Sequence, residues 1–100
     1  MKAPSDLSAS GRRLFESVTG AYLLEEHHLH LLTQACRAWD RAEGARREIG
    51  SRLTVTSRLG EVKPNPLLAV ERDARGQFER LLKSLGLDID GPPPPSARRR

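Results

Sequence analysis

The side chains best suited to chemistry form a histidine-rich group near residue 27. Glu26 is followed by His27, His28 and His30. His27 and His30 are three positions apart, so both could project from one face of a helix toward a metal ion. The single cysteine and the absence of further histidines leave such a ligand set incomplete. Partly exposed polar residues on a first helical turn explain the group more simply, and we predict no metal site.

Other kinds of catalytic group are also missing from the sequence. It contains neither the GxxxxGK[ST] phosphate loop nor the GxGxxG dinucleotide fingerprint. Asp88 and Asp90 are paired carboxylates beside a proline-rich stretch, whereas catalytic groups must be held rigidly. Cys36 lies in an apolar pattern that is typical of an inert buried thiol. We therefore expect a protein without enzymatic activity and without a cofactor.

The composition limits the size and the surroundings of the protein. One hundred residues suffice for one small domain. Hydrophobic residues make up 37% and aromatic residues 4%, so a monomeric core would be thin. No apolar run approaches the roughly 18 residues of a transmembrane helix, and the N-terminal segment MKAPSDLSAS has no secretory signal. A single cysteine fits a reducing cytoplasm, and we expect no membrane contact.

A series of cations follows the second predicted helix and the segment after it. The formal net charge of +4 permits contact with nucleic acid without requiring it. Guanidinium groups bind phosphate well, so this helix could present a phosphate-binding surface. Alternatively, Asp40, Glu43 and Glu48 pair with the arginines on a solvated face. The candidate DNA-binding residues are Arg37, Arg41, Arg46, Arg47, Arg52, Arg58 and Lys63.

Two helices are predicted in the first half of the chain. Ser10 is a plausible N-cap for a helix over about 11–19, which Gly20 would end. The second helix begins near Glu25 and continues to about Arg52 without a proline. It spans roughly 37 Å, whereas a compact domain of this length has a radius of gyration of about 13 Å. Because such a helix overhangs a monomer, we infer self-association.

A β-hairpin and a third helix follow. Alternating apolar and polar residues predict short strands at about 53–63, with a tight turn at Gly60. Asn65 as N-cap, Pro66 at the first helical position and Gly86 as C-cap define the third helix. The predicted fold class is mainly α, with a helical hairpin-like core that combines one long helix, a short β-hairpin and a further amphipathic helix. The residues expected to pack in the core or between subunits are Leu32, Trp39, Ile49, Val55, Leu67, Val70, Phe78, Leu81 and Leu85.

The chain divides into three predicted parts. Residues 1–9 are polar and expected to be flexible, and residues 10–87 form a single helical domain that we expect to oligomerise. Residues 88–100 contain four consecutive prolines, which favour extended polyproline II, and are predicted to be disordered. We expect this tail to bind a partner protein through Pro92, Pro93, Pro94, Pro95, Arg98, Arg99 and Arg100.

The stretch Leu53–Asp88 resembles the signature of the P27-type phage terminase small subunit family. It combines a strand-rich phrase, a proline followed by LLAVERDAR, and a helix that ends at Leu-Gly-Leu. The preceding stretch Leu31–Glu43, LLTQACRAWDRAE, is similar to the long-helix segment of that family. The resemblance covers roughly residues 8–88, and its most specific phrase is Pro64–Arg75.

The resemblance implies a DNA-packaging subunit of a tailed phage or prophage. Members of this family assemble into rings, bind double-stranded viral DNA near the packaging start and recruit the large terminase subunit, which holds the ATPase and the nuclease. The implied partners are other copies of the chain, the large subunit and viral DNA, in the cytoplasm of a bacterial host. No catalytic residues carry over from the family.

Two features leave the mode of DNA contact open. Many relatives have a longer Gly/Pro/Lys-rich leader, whereas about ten residues precede the first predicted helix here. No helix-turn-helix can be placed either. The alternative hypothesis is a small helical oligomer that acts as a protein–protein adaptor through its polyproline tail, without a direct DNA role. The two hypotheses differ in whether the arginines cluster on one surface of the assembly.

Overall fold

Three helices and two short antiparallel sheets make up the described part of the chain. The computed structural model describes residues 2–87 and the backbone of residues 98–99. The elements in chain order are α1 (Ala9–Ala21), β1 (Tyr22–Leu23), α2 (Glu26–Ile49), β2 (Thr54–Thr56), β3 (Val62–Pro64), α3 (Pro66–Leu85) and β4 (Arg98–Arg99). β2 pairs with β3, and β1 pairs with β4. The predicted mainly α class, with one long helix, a β-hairpin and a further helix, is confirmed.

α2 and α3 form an antiparallel pair that dominates the packing between elements. The contacts that define its register run in opposite order along the two helices: Trp39 meets Phe78, and Glu43 meets Arg75. Leu32 and Leu85 share one apolar cluster. The 24 residues of α2 span about 36 Å, and the chain measures 56 × 29 × 19 Å along its principal axes. The protomer is therefore elongated. None of the helices in the described part of the chain is long and apolar enough to cross a membrane.

Alanine occupies half of the buried positions of α2, at Ala35, Ala38, Ala42 and Ala45. Small side chains allow neighbouring helix axes to approach closely. Larger apolar side chains collect toward the N-terminal half of α2, where α1 also packs. Their main cluster consists of Leu7, Phe15, Val18, Leu32, Cys36 and Leu85. The core is consequently richest at the α1 end of the molecule and thinner toward the hairpin.

The boundaries of α3 agree with the capping residues read from the sequence. Asn65 precedes the helix and accepts the Leu67 backbone N–H at 3.0 Å, while Pro66 occupies the first turn. Gly86 follows the helix in the left-handed region, with φ 76°. Its N–H donates to the Leu82 and Lys83 carbonyls. These local contacts satisfy backbone groups that a helix end otherwise leaves unpaired.

The first helix begins and ends at different residues from those predicted. Its N-cap is Ser8 rather than Ser10, because the Asp40 carboxylate accepts both the Ser8 backbone N–H, at 2.7 Å, and the Ser8 hydroxyl. Gly20 does not end the helix. α1 continues to Ala21, and Tyr22 then adopts an extended conformation, where the chain enters β1. The contact between Ser8 and Asp40 of α2 therefore selects the start of α1 against the local signal at Ser10.

The N-terminal segment, for which the composition predicts flexibility over residues 1–9, is attached to the helices. Leu7 is buried in the main apolar cluster. The Asp6 carboxylate accepts the Arg37 Nε–H at 2.8 Å. Ser8 begins α1, as described above. The structure differs from the expectation because these three residues meet partners on α2 that lie about thirty positions away in the sequence.

The second helix is shorter than predicted at its C-terminal end. It ends at Ile49 instead of about Arg52, because Gly50 takes a positive φ of 53° that turns the chain away. Its N-terminus is closed by a capping box, in which the Glu25 side chain accepts the His28 backbone N–H. In return, His28 Nδ1 accepts the Glu25 backbone N–H at 3.1 Å. This reciprocal pair fixes the start of α2.

The C-terminal tail is described only at residues 98–99. Asp88, Asp90 and the prolines at 92–95 lie outside the described residues, as does Arg100. β4 pairs antiparallel with β1, with Arg99 opposite Tyr22 and Arg98 opposite Leu23.

Candidate nucleic-acid interface

The candidate DNA-binding residues divide into two groups. Arg37 and Arg41 lie on the exposed side of α2, whereas the other five occur in its last turn, in the turn that follows and in the hairpin. All seven are exposed. The larger group lies at the hairpin end of the α2–α3 pair, and we call it the basic end: Arg46, Arg47, Arg52, Arg58 and Lys63.

Several cations of the basic end have only weak attachments within the chain. A guanidinium nitrogen of Arg46 lies 3.7 Å from a carboxylate oxygen of Glu43, and Lys63 Nζ lies 3.6 Å from a carboxylate oxygen of Glu61. Arg52 donates to the Glu48 backbone carbonyl at 2.7 Å rather than to a carboxylate. The Arg46 and Lys63 side chains are 69% and 58% exposed, so water and salt screen these pairs and they contribute little to stability. These side chains can therefore exchange an internal contact for a phosphate at small cost.

Four of the candidates have no ion pair within the described residues: Arg41, Arg47, Arg52 and Arg58. Arg37 differs from them, because its guanidinium donates to both Asp6 carboxylate oxygens, at 2.8 Å and 3.4 Å. This hydrogen bond raises the pKa of Arg37 and lowers the pKa of Asp6. The structure thus separates Arg37 from the basic end, both in position and in the contact it already makes.

The hairpin is attached to both long helices at its base. The Leu53 carbonyl accepts the Asn65 backbone N–H at 2.9 Å. The Asn65 side-chain amide donates to the Arg52 carbonyl at 2.8 Å, while its oxygen caps α3. Asn65 is buried and joins the exit of α2 to the start of α3. The cations on the hairpin therefore keep a defined direction relative to those on α2.

A cluster around Trp39 holds the three helices together. The indole N–H donates to the Ser10 hydroxyl at 2.7 Å, and the ring lies 5.1 Å from the ring of Phe78. The Arg75 guanidinium lies 5.8 Å from the centre of the Trp39 ring, within cation–π range. Trp39 thus contacts side chains of both other helices, and Ser10 serves as its hydrogen-bond partner instead of capping α1.

Arg75 is the most fully paired cation on the described helices. It donates to Glu71 at 2.9 Å and to Glu43 at 3.2 Å, so it links α3 to α2. The hydrogen bond to Glu71 raises the pKa of Arg75 against the opposing effect of burial, with a further contribution from Glu43. This arginine consequently has a structural role in the helix pair.

The predicted packing residues are buried to different degrees. Leu32, Ile49 and Leu85 are buried, and the side chains of Trp39, Leu67, Phe78 and Leu81 are partly buried. Val55 and Val70 remain 40% and 38% exposed in the single chain. In the single chain these two residues do not belong to the core.

The candidate DNA-binding residues chosen from the sequence do not include the cations of α1 and α3. Arg72, Arg80 and Lys83 are exposed on α3, and Arg12 and Arg13 are exposed on α1. Helical periodicity was the available signal, because none of these residues falls on the apolar stripe of its helix. These cations lie on different elements from the basic end. Variants at these positions therefore provide charge-matched controls for variants of the basic end.

The histidine-rich group is explained by the cap of α2. The structure brings together Glu25, His27 and His28, whose ligand atoms lie within 4.8 Å of one another. Of the two histidines that the sequence places three positions apart, His27 belongs to this cluster and His30 does not; His30 Nε2 lies 4.0 Å from a Glu26 carboxylate oxygen. His28 is buried, but its Nδ1 already accepts the Glu25 backbone N–H. The geometry is that of a helix cap.

Comparison with known proteins identifies the family. Residues 12–100 match the family described as phage terminase, small subunit. The chain belongs to that family. No curated protein and no solved structure matches it. Membership assigns this terminase small subunit to phage DNA packaging, and the matched range includes the whole basic end.

Proposed function

We propose that this chain is a P27-type small subunit of a phage DNA-packaging terminase. In this role it forms a non-enzymatic ring that binds double-stranded viral DNA where packaging begins and recruits and regulates the large ATPase–nuclease subunit, in the cytoplasm of the bacterial host. The family match over residues 12–100 carries the proposal. The phrase Pro64–Arg75 supports the P27 type. The exposed cations of the basic end supply the physical basis for DNA contact.

Ring assembly is supported by the shape of the protomer. The chain is elongated, and it leaves apolar side chains such as Leu23 and Val70 exposed. A head-to-tail contact between unlike surfaces closes into a ring when its rotation is a simple fraction of a turn. The native mass of the purified full chain tests this step. A single species of many subunits supports the ring, whereas a monomer or dimer at every concentration contradicts it.

DNA binding by the basic end should be mainly electrostatic. Cations that neutralise phosphates release counterions, so the affinity should fall steeply between about 50 mM and 200 mM salt. Sequence discrimination should be weak, because phosphate contacts position a protein without reading bases. Binding to a short duplex that does not change with salt would contradict this mechanism.

A pair of charge-matched variants separates a specific surface from a general effect of charge. The test variant replaces Arg47, Arg52 and Arg58 with glutamine. The control replaces three exposed cations of α3 with glutamine: Arg72, Arg80 and Lys83. Both lose three positive charges, so an equal loss of DNA affinity would refute a role for the basic end. We expect the test variant to lose most of its affinity and to show a shallower salt dependence, while the control keeps both.

The tail provides a separate test of recruitment. We propose that residues 88–100 bind the large subunit, because extended proline-rich segments dock readily onto partner proteins. Deletion of these residues should leave the native mass unchanged and weaken capture of the large subunit. The deletion also removes β4, so Arg98→Ala with Arg99→Ala serves as a variant that keeps the chain length. Unchanged capture by the deleted protein would exclude this role for the tail.

The adaptor hypothesis remains the second candidate, and the distribution of charge argues against it. An adaptor without a DNA role needs no local concentration of cations. Five of the seven candidates nevertheless lie at one end of the helix pair, and Arg47 and Arg58 have no ion pair within the described residues. The salt-dependence experiment distinguishes the two hypotheses, since an adaptor would show no DNA binding even at low salt.

A further inference from the structure

The hairpin extends from the body of the protein as an exposed arm. We define the hairpin arm as residues 53–64. Every residue of β2 and β3 is exposed, and the arm lacks cover from the helices along its length. Two isolated strands are only marginally stable in water, so a hairpin of this kind usually acquires a partner. Its base is nevertheless fixed by Asn65, so the arm presents a defined tip.

The tip is a three-residue loop that exposes one large apolar side chain. The Gly60 N–H donates to the Ser57 carbonyl at 3.0 Å, and the Ser57 N–H donates to the Glu61 carbonyl at 2.8 Å. Gly60 has φ 80°, which suits the left-handed position of this type of loop. Leu59 lies at the apex and is 94% exposed, the highest value among the exposed large apolar residues of the described chain. An apolar side chain held in water at the end of an arm indicates a contact with another molecule.

The charge of the arm and its neighbouring residue favours a polyanion as that molecule. Residues 52–64 contain three cations, Arg52, Arg58 and Lys63, and one carboxylate, Glu61. The formal net charge of this segment is therefore +2. Arg58 directly precedes Leu59 and has no ion pair within the described residues. A guanidinium beside an exposed leucine matches the combination that minor-groove proteins use, in which a cation lies in the groove and an apolar wedge enters between base pairs.

The side-chain arrangement of the strands argues against a second copy of the chain as the partner. Val55 is paired with Lys63, and Val62 is paired with Thr56. Because neighbouring positions of a strand point to opposite faces, Leu53 and Val55 lie on one side of the arm, beside Lys63, and Val62 lies on the other side. Neither side therefore presents the extended apolar face that a stable subunit interface needs. At the tip, the most exposed of these apolar side chains, Leu59, lies next to Arg58.

We propose that the hairpin arm enters the minor groove of DNA and that Leu59 acts as a wedge between adjacent base pairs. This inference rests on the proposed DNA-binding function and adds the way in which the protein engages the duplex. Arg58 contacts the groove beside the wedge, while the cations of α2 contact the backbone. Partial unstacking kinks the duplex, so binding bends the DNA and favours flexible TA and CA/TG steps.

The test measures bending and affinity together on the full-length protein. A duplex of about 30 base pairs with a central TA step carries a fluorescent donor and acceptor at its ends, and a duplex with a central A-tract serves for comparison. The wild type should raise energy transfer on the TA duplex more than on the A-tract. Leu59→Ser should abolish the rise and weaken binding by about tenfold, whereas Leu59→Phe, which keeps a wedge, should retain both.

Two further variants complete the design. Val62→Ser removes an exposed apolar side chain from the side of the arm and should leave bending and affinity unchanged. Arg58→Gln should weaken binding and reduce the salt slope by about one. Circular dichroism confirms that each variant remains folded.

The possible failures separate the two proposals. If the wild type binds DNA but Leu59→Ser bends and binds it equally well, the wedge is wrong and the proposed function stands. If the wild type does not bind DNA even at about 50 mM salt, the proposed DNA-binding function itself fails. If Leu59→Ser lowers the native mass and leaves the DNA affinity per protomer intact, the tip contacts a second copy, and the wedge is excluded.

Discussion

The close approach of α1 to α2 at Gly11 allows a quantitative test of how the first helix is held. An added Cβ at Gly11 would lie 2.5 Å and 2.6 Å from the two carboxylate oxygens of Asp40. Those oxygens accept the Ser8 backbone N–H and the Ser8 hydroxyl. Gly11→Ala should therefore displace the Asp40 carboxylate and break both contacts. Gly11 has a buried position on the first turn of α1, so solvent offers the new methyl group no space.

The expected change in stability follows from two opposing effects. A hydrogen bond to a charged group contributes about 1.5–3 kcal/mol, and we take about 2 kcal/mol for the pair because both contacts are exposed. Alanine in place of glycine favours the helix by up to about 1 kcal/mol. Gly11→Ala should thus lower the free energy of unfolding by about 1 kcal/mol in the wild-type background. In the Asp40→Ala background, Gly11→Ala should instead raise the free energy of unfolding.

Urea unfolding of the four proteins of this double-mutant cycle provides the assay. Circular dichroism follows the helices, and the fluorescence of Trp39 follows the docking of α1, since its indole donates to Ser10. The protomer concentration must be the same throughout, because self-association shifts apparent stability. We expect a coupling of about 2 kcal/mol between the two sites. Equal effects of Gly11→Ala in both backgrounds would show that Asp40 does not hold the start of α1.

Three further predictions concern the core, the buried thiol and the N-terminal ion pair. Leu32→Ala should lower the free energy of unfolding by about 2–5 kcal/mol, because Leu32 is fully buried; urea titration measures the loss. Burial, together with the Asp40 charge, raises the pKa of Cys36 to about 12, so a thiol reagent at pH 8 should modify the protein only after denaturation. Fast modification of the folded protein would contradict this burial. The hydrogen bond from Arg37 lowers the pKa of Asp6, so its stabilising effect is present above the usual pKa of 3.8 and is lost as the pH falls through the lowered value. Unfolding measured across that range should therefore depend on pH less steeply in Asp6→Asn than in the wild type.

Local signals in the sequence were sufficient where neighbouring residues determine the structure. The cap residues of α3 act within one turn of the helix ends, and both boundaries agree with them. The hairpin was equally accessible, because alternation of residue types and Gly60 specify strands and turn without distant partners. All five cations of the basic end are among the candidates chosen from the sequence, because cations near a helix end and on an adjacent hairpin are close in space by chain connectivity.

Contacts between distant segments were not accessible to the same reasoning. Ser8 and Ser10 are equivalent as N-caps by residue type, and only Asp40, 32 positions away, selects Ser8. Arg37 has the same periodicity as Arg41, but it meets Asp6 from a segment whose composition predicted flexibility. The exposure of Leu59 also depends on the direction in which the hairpin leaves the helix pair. A sequence pattern specifies neither the partner nor the direction.

The alanine-rich packing of α2 restricts how this chain can diverge during evolution. At Ala38 or Ala42, almost any replacement adds volume that the close-packed interior must accommodate by moving α3. The hairpin arm joins the end of α2 to the start of α3, so a shift of α3 would redirect Leu59 as well. Under the proposed wedge mechanism, mutations in the helix pair are therefore constrained by the orientation of the arm. The side chains of β2 and β3 are exposed, so they can change without displacing α3.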